Sequence, residues 1–259
     1  MEYSAGLAMA AIDPMDVRRA IFAGEMFLEY LPMVDLQDRD RCVGCEALVR
    51  WRRDGTVVPP LAFIPAIENT PVSGLLTYWV IDRMASELGD WLRTYGNVHV
   101  AINVPPEVLG RGGLEYAAYK ANLLEVRSRL VLEITERGAP DHLGLQELRN
   151  IAQDDEVLIA MDDIGIDGGS MLAFARTPVD VLKLDRSVIA QIGGEDDAGV
   201  LAELTKLVGI GRQRFVAEGV EHAGQADNLR AIGVQWAQGW LYSCALPARE
   251  FIAWHAAHD

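Results

Sequence analysis

The chain has 259 residues, with 38 Asp and Glu against 23 Lys and Arg, a formal net charge of -15. A chain this acidic lacks the basic surface with which proteins coat DNA or hold anionic membranes, so an anionic ligand needs cations placed locally. Hydrophobic residues make up 50% and charged residues 24%, ordinary values for a globular protein, and the length suits one domain with a large core, expected over about residues 16–250.

Met1-Glu2-Tyr3 carries no basic leader, and the apolar stretch 5–12 is too short to span a bilayer, so the expected location is cytoplasmic. Short apolar runs follow at 26–34, 42–49, 98–104, 130–134, 157–161, 179–184, 214–217 and 234–237. Between them lie amphipathic, helix-like stretches at 75–95, 114–126, 143–153, 169–176, 198–210 and 225–232, with another at 251–258. Strand–helix alternation predicts a parallel sheet covered by helices, and eight strands in this length predict a (β/α)₈ barrel. The first two runs are joined only by Asp35-Leu36-Gln37-Asp38-Arg39-Asp40-Arg41, which is hairpin length. The fold class expected is therefore a modified TIM barrel with one antiparallel strand near the N-terminus.

Polar residues recur where these runs end. They are Glu46, Asn103, Glu133 with Glu136, Asp162 with Asp163, Lys183 with Asp185, Glu218 with Glu221, and Gln238. The C-terminal ends of barrel strands converge on one face, where active sites are built. A lone Glu after a strand is a solvated loop residue or a helix cap; a ring of acids with one Asn is an oxygen-ligand set, suited to Mg²⁺ or Mn²⁺ and less specifically to Ca²⁺. Asp162 and Asp163 place two like charges after the buried run Val157-Leu158-Ile159, an arrangement that calls for positive charge. A metal pair supplies it, and paired ions activate water in phosphoryl chemistry.

Lysine is scarce, at positions 120, 183 and 206, and Lys183 lies between Leu182 and Leu184 in a run that reads as buried. It is either half of a structural ion pair, with Asp185 or a neighbouring strand's acid, or a group that orients reactive water. Cys42-x-x-Cys45 lies inside a strand-like run with no second Cys pair or nearby His, so it reads as structural. Glu195-Asp196-Asp197 reads as a solvated lead into a helix. Trp51, beside Arg50, either stacks on a nucleobase or packs outside the barrel.

"EALVRW" at 46–51 resembles the motif that names the EAL domain, and "LEITE", "MDDIG", "VDVLKLDRS", "FVAEGVEH" and "QGWLYS" follow in that family's order. The resemblance runs from about Asp16 to Pro247 and implies one EAL domain, a modified TIM barrel. It implies hydrolysis of the bacterial second messenger cyclic di-GMP to linear diguanylate with Mg²⁺ or Mn²⁺, two ions per site. By motif, Glu46, Asn103, Glu133 and Asp162 would ligate the first ion. Asp162, Asp163 and Glu221 would help hold the second, with Asp185 close by. Lys183 would contact the attacking water, Glu218 would be a ligand or the general base, and Gln238 would sit at the metal–water shell. Arg50 would contact a substrate phosphate, with a rim salt bridge as its bare physical reading, and Leu48 would pack on the substrate. Glu136 would fix the loop after the fifth strand, which in this family couples the metal site to a homodimer interface. A sensor or GGDEF-type domain is the expected companion; DNA and membrane contacts are not.

The chain also departs from the family pattern. Ile164-Gly165-Ile166-Asp167-Gly168-Gly169-Ser170-Met171 replaces Phe-Gly-Thr-Gly-Tyr-Ser-Ser-Leu, and adjacent glycines loosen a loop. Leu31 stands for a Gln, Pro105 for a Ser and Ala245 for a Pro. No expected ligand is lost, which favours an enzyme. The altered loop points to the alternative, a receptor module that binds cyclic di-GMP and signals through a protein partner.

Overall fold

Strand β1 (Met26–Asp35) turns back after Asp35 into β2 (Arg41–Arg53), with Arg39 and Asp40 in the left-handed region at φ 52° and 57°. This computed structural model describes residues 12–135, 144, 157–165, 179–194, 197–210 and 212–259. The hairpin extends through β3 (Thr56–Val58) to helices α2 (Pro60–Ile67) and α3 (Pro71–Thr94). Next come β4 (His99–Asn103), α4 (Gly113–Lys120), β5 (Leu130–Thr135) and β6 (Leu158–Ile164). The chain continues through β7 (Val181–Leu184), α5 (Arg186–Ile189), α6 (Asp197–Ile210) and β8 (Arg214–Glu218). It ends with α7 (Ala223–Ala231), β9 (Trp236–Gln238) and α8 (Ala248–Ala256).

The sheet runs β1-β9-β8-β7-β6-β5-β4-β2-β3, and β1 also pairs with β2, which closes an eight-stranded barrel with β3 outside it. β1 is antiparallel to both neighbours, and the pairings from β2 through β4 round to β9 are parallel. The expected α/β barrel with one reversed strand is thus observed. Strand β3 and helices α1 (Pro14–Ala23), α2 and α5 are additions to the expected elements. α1 carries a start that sequence shows, Asp13 capping Asp16 with Pro14 at the first position, and a Gly24 stop at φ 73°. α2 holds Pro60 and Pro65 in an almost wholly apolar stretch, so no helical period marks it. The expected helix over 114–126 is α4 followed by a 3₁₀ segment, Leu124–Arg129. The expected helices 143–153 and 169–176, Glu136 and the altered loop beyond Gly165 lie outside the described residues.

Inside the barrel one buried apolar residue from each closing strand forms a layer: Met33, Val43, Ala101, Val131, Ala160, Val181, Val216 and Trp236. A strand repeats its face every second residue. Two positions on from this layer, β4 to β9 therefore present Asn103, Glu133, Asp162, Lys183, Glu218 and Gln238 on the same face. On β2 a bulge intervenes: the register passes from Met33–Gly44 to Val34–Cys42, so Val43 is the extra residue. Glu46 then follows Gly44 by two. The polar ring is thus the storey above an apolar plug. Helices cover the outside, with Met84, Leu88 and Leu92 of α3 buried against one flank and Leu204 and Leu207 of α6 against the other. Cys42 and Cys45 are buried and free within this packing, and Cys244 is exposed. Among the described residues no helix is long and apolar enough to cross a membrane.

Gly44 permits the bulge, because a Cβ there would lie 2.0 Å from the His99 carbonyl oxygen on β4. Relief would require the β2–β4 pairing beside Glu46 to open. Gly44→Ala is expected to destabilise the fold by about 3 kcal/mol or more, read from urea denaturation; a loss below about 1 kcal/mol would show that the pairing can yield.

Candidate active site

Lys183 is the centre of the polar ring. Its Nζ lies 2.7 Å from Glu133, 2.7 Å from Glu218, 3.2 Å from Glu46 and 3.4 Å from Asp162. Its side chain is 2% exposed, as is that of Glu133. Asn103 Nδ2 donates to Glu46 Oε1 at 3.0 Å; Gln238 Nε2 donates to Glu46 Oε2 at 2.8 Å and to Glu218 Oε1 at 3.0 Å. Seven strands thereby contribute one side chain each to a single network. Of the structural partners foreseen for Lys183, the acids of the neighbouring strands are the ones observed, Asp162 on β6 and Glu218 on β8.

The electrostatics are one-sided. Four carboxylates share one buried ammonium. Burial pushes Glu133 well above the usual carboxylate range, helped by the Glu46 charge and only partly offset by Lys183. Burial likewise raises Asp162, and holds Glu218 up at about 8. Glu46 is also buried, yet Lys183 and hydrogen bonds from Gln238 and Asn103 outweigh that and keep it below its ordinary value. Lys183 is pushed down by burial, but the four acids overcome this and hold it firmly charged.

All-oxygen donors with one amide match a hard divalent cation. A second observation agrees: Glu133 Oε2 is buried and has no hydrogen-bond partner. Added positive charge is what would let all four acids ionise together. Among the described residues, however, no three Asp, Glu, His or Cys side chains are disposed around a common point as a ligand set; the acids turn onto Lys183. Donor chemistry and the unpartnered oxygen fit a divalent cation, while the side-chain rotamers are those that satisfy the lysine.

The other residues foreseen for the site make contacts of their own. Asp163 follows Asp162 across a break in the β6–β7 register; it adopts φ 60°, and its backbone N–H donates to Asp162 Oδ1. That bend keeps two neighbouring carboxylates on a strand from standing in simple alternation. Asp185 caps α5 through Ser187. Glu221 is paired with Arg186 at 2.6 Å. Arg50 is ion-paired with Glu29 at 2.8 Å, a partner that the sequence reading missed although Glu29 alternates with Leu31 on β1. Trp51 is 1% exposed, edge-on to Phe63, with its Nε1 on Glu25, and so packs outside the barrel.

The EAL-domain family profile matches residues 15–245. The chain belongs to the EAL domain family. It is 32% identical over 242 residues to the probable cyclic di-GMP phosphodiesterase PdeB of Escherichia coli K12, covering 92% of this chain and 46% of PdeB. It is 30% identical over 248 residues to MucR of Pseudomonas aeruginosa, a bifunctional diguanylate cyclase and cyclic di-GMP phosphodiesterase, covering 92% of this chain and 36% of MucR. The solved phosphodiesterase of that MucR in complex with cyclic di-GMP superposes with a TM-score of 0.79 at 28% identity, covering 92% of this chain and 98% of the other. The chain thus spans less than half the length of PdeB and MucR.

The EAL tripeptide itself, Glu46-Ala47-Leu48, joins the ring to a cavity of about 580 Å³. Glu46, Asn103 and Glu133 form its inner end, Leu48 and Arg50 one wall, and Ile64 of α2 with Leu76 and Val80 of α3 the apolar wall opposite. The cavity is thus apolar along its walls and acidic at its inner end. Lys183→Met would leave the four acids without their ammonium. It is expected to lower stability in chelator by about 3–5 kcal/mol, measured by denaturation. A stability equal to wild type would show that the cluster stays protonated and needs no lysine.

Proposed function

We propose that this EAL domain is a metal-dependent cyclic di-GMP phosphodiesterase, a phosphoric diester hydrolase. The observation that carries the reading is the convergence of Glu46, Asn103, Glu133, Asp162, Lys183, Glu218 and Gln238 in one network, three of whose members, Glu46, Asn103 and Glu133, line a nucleotide-sized cavity. The MucR phosphodiesterase complex with cyclic di-GMP supports the substrate. In the proposed arrangement Glu46, Asn103, Glu133 and Asp162 hold one Mg²⁺ or Mn²⁺. Asp162 with Asp163 takes part in a second site, to which Glu221 and Asp185 belong by motif; both are engaged with α5 residues in this structure. Divalent ions bound there supply the positive charge that activates water and neutralises the phosphodiester in an in-line displacement.

The chain's own groups do the rest. Leu48 and the apolar wall seat a base, and Arg50 contacts a phosphate. Lys183 orients the attacking water. Glu218 accepts its proton: burial raises this carboxyl to about 8, so it is a capable base once nearby positive charge ionises it. Gln238 holds Glu46 and Glu218 at fixed separation through its amide. Water adds to phosphorus as one ring P–O bond breaks. The departing oxygen takes up a proton, and the product is linear diguanylate.

The test is chromatography of cyclic di-GMP incubated with the protein and Mg²⁺ or Mn²⁺. Linear product is expected, abolished by chelator and reduced at least about a hundredfold in Glu46→Ala. An intact dinucleotide after prolonged incubation with either metal would overturn the reading as an enzyme.

A further inference from the structure

We infer that Glu29 is a positioning residue that holds Arg50 for the substrate phosphate, an assignment that rests on the function proposed above. β1 and β2 pair with Leu31 opposite Glu46, Glu29 opposite Leu48 and Phe27 opposite Arg50. Residues opposed across antiparallel strands share a face. Glu29 therefore stands on the mouth side, one storey above Glu46, beside Leu48 and Arg50, which line the cavity. Reversal of β1 creates this position. Its other charged residue, Asp35, lies at the far end opposite Arg41 and Trp236.

The contact is directional. Arg50 Nε donates to Glu29 Oε2 at 2.8 Å, and Arg50 Nη1 donates to the Val49 carbonyl at 3.1 Å. The side chains are 19% and 28% exposed. Arginine presents its donors in a rigid planar fork. Anchoring the Nε edge fixes the plane and leaves terminal N–H groups for a phosphate. A loose arginine would have to surrender its rotamer freedom at the moment of binding; a held one has done so already. The Glu29 carboxylate also repels the phosphate. At a partly exposed mouth that repulsion is weakened by solvent, whereas the geometry of the fork is not, so positioning is the larger effect.

The experiment measures cyclic di-GMP turnover and binding for wild type, Glu29→Ala, Glu29→Gln, Arg50→Ala and the double variant Glu29→Ala/Arg50→Ala. Glu29→Ala is expected to raise KM about fivefold to tenfold with kcat within about twofold. Glu29→Gln keeps an acceptor and is expected to raise KM less than about threefold. In the Arg50→Ala background the same Glu29→Ala change should alter KM by less than about twofold. An equal rise in both backgrounds, or a fall in KM on removing Glu29, overturns the assignment. If the wild type neither binds nor hydrolyses cyclic di-GMP, the proposed function fails while the positioning remains readable from the Arg50 Nε–Hε NMR signal. A signal ordered in wild type and motionally averaged in Glu29→Ala supports it; one unchanged by the substitution overturns it.

Discussion

Five ionisable groups closed inside a barrel set the terms for the rest of this molecule. Each of Glu46, Glu133, Asp162, Glu218 and Lys183 would, alone in that position, lose several kcal/mol of hydration. Together they are tolerable because the lysine lies within 3.4 Å of all four acids. That proximity can be reached only where strands distant in sequence converge, and a closed barrel is the fold that brings them to one axis. The Gln238 and Asn103 amides then fix which carboxylate oxygen faces which donor. The chemistry and the topology are in this sense one constraint: any change that opens the barrel separates charges that cannot stand apart.

The layering follows from the same constraint. Beneath the charged storey lies a ring of apolar side chains, including the β-branched Val43, Val131, Val181 and Val216, which keeps water from reaching the charges from below. Above it the mouth is asymmetric. On one side α2 and α3 stand back to leave the cavity. At β1, which runs the other way, Leu31 occupies ring height and faces Glu46. The ring therefore has one apolar gap, on the one strand that does not deliver its C-terminal end to the mouth, and Glu29 rather than a ring residue becomes that strand's polar contribution.

Much of this was legible in the sequence. Each parallel strand announces itself as a short apolar run ending in a polar residue, and a period of two places those residues on one face without any knowledge of tertiary contacts. The short Asp35–Arg41 connection likewise dictates a hairpin. What could not be read were features set by packing. α2 is apolar all round and carries two prolines, so its helicity depends on the cavity wall that it completes. Trp51 follows Arg50 in sequence, yet alternation sends it outward onto Phe63. Asp163, Asp185 and Glu221 sit in family motifs, but backbone bends, a helix cap and Arg186 respectively determine where their carboxylates rest. The partner of Arg50 was hidden because a diagonal contact across a hairpin depends on register, and the bulge at Val43 shifts that register.

Net charge then becomes part of the proposed mechanism rather than an obstacle to it. A chain of charge -15 attracts no polyanion by its overall field, and Lys183 in the ring and Arg50 at the mouth are already neighboured by acids, Lys183 by four and Arg50 by Glu29. A phosphodiester brought to Glu46 and Glu133 would meet carboxylates first. Under the proposed function, metal dependence and substrate admission are therefore the same electrostatic requirement, since divalent charge converts an acidic pit into an anion site. Specificity follows from this as well. The field near the ring would be attractive only within a few ångströms, so discrimination falls to shape, to the apolar slot between Leu48 and α3, and to an arginine whose plane is fixed before the ligand arrives.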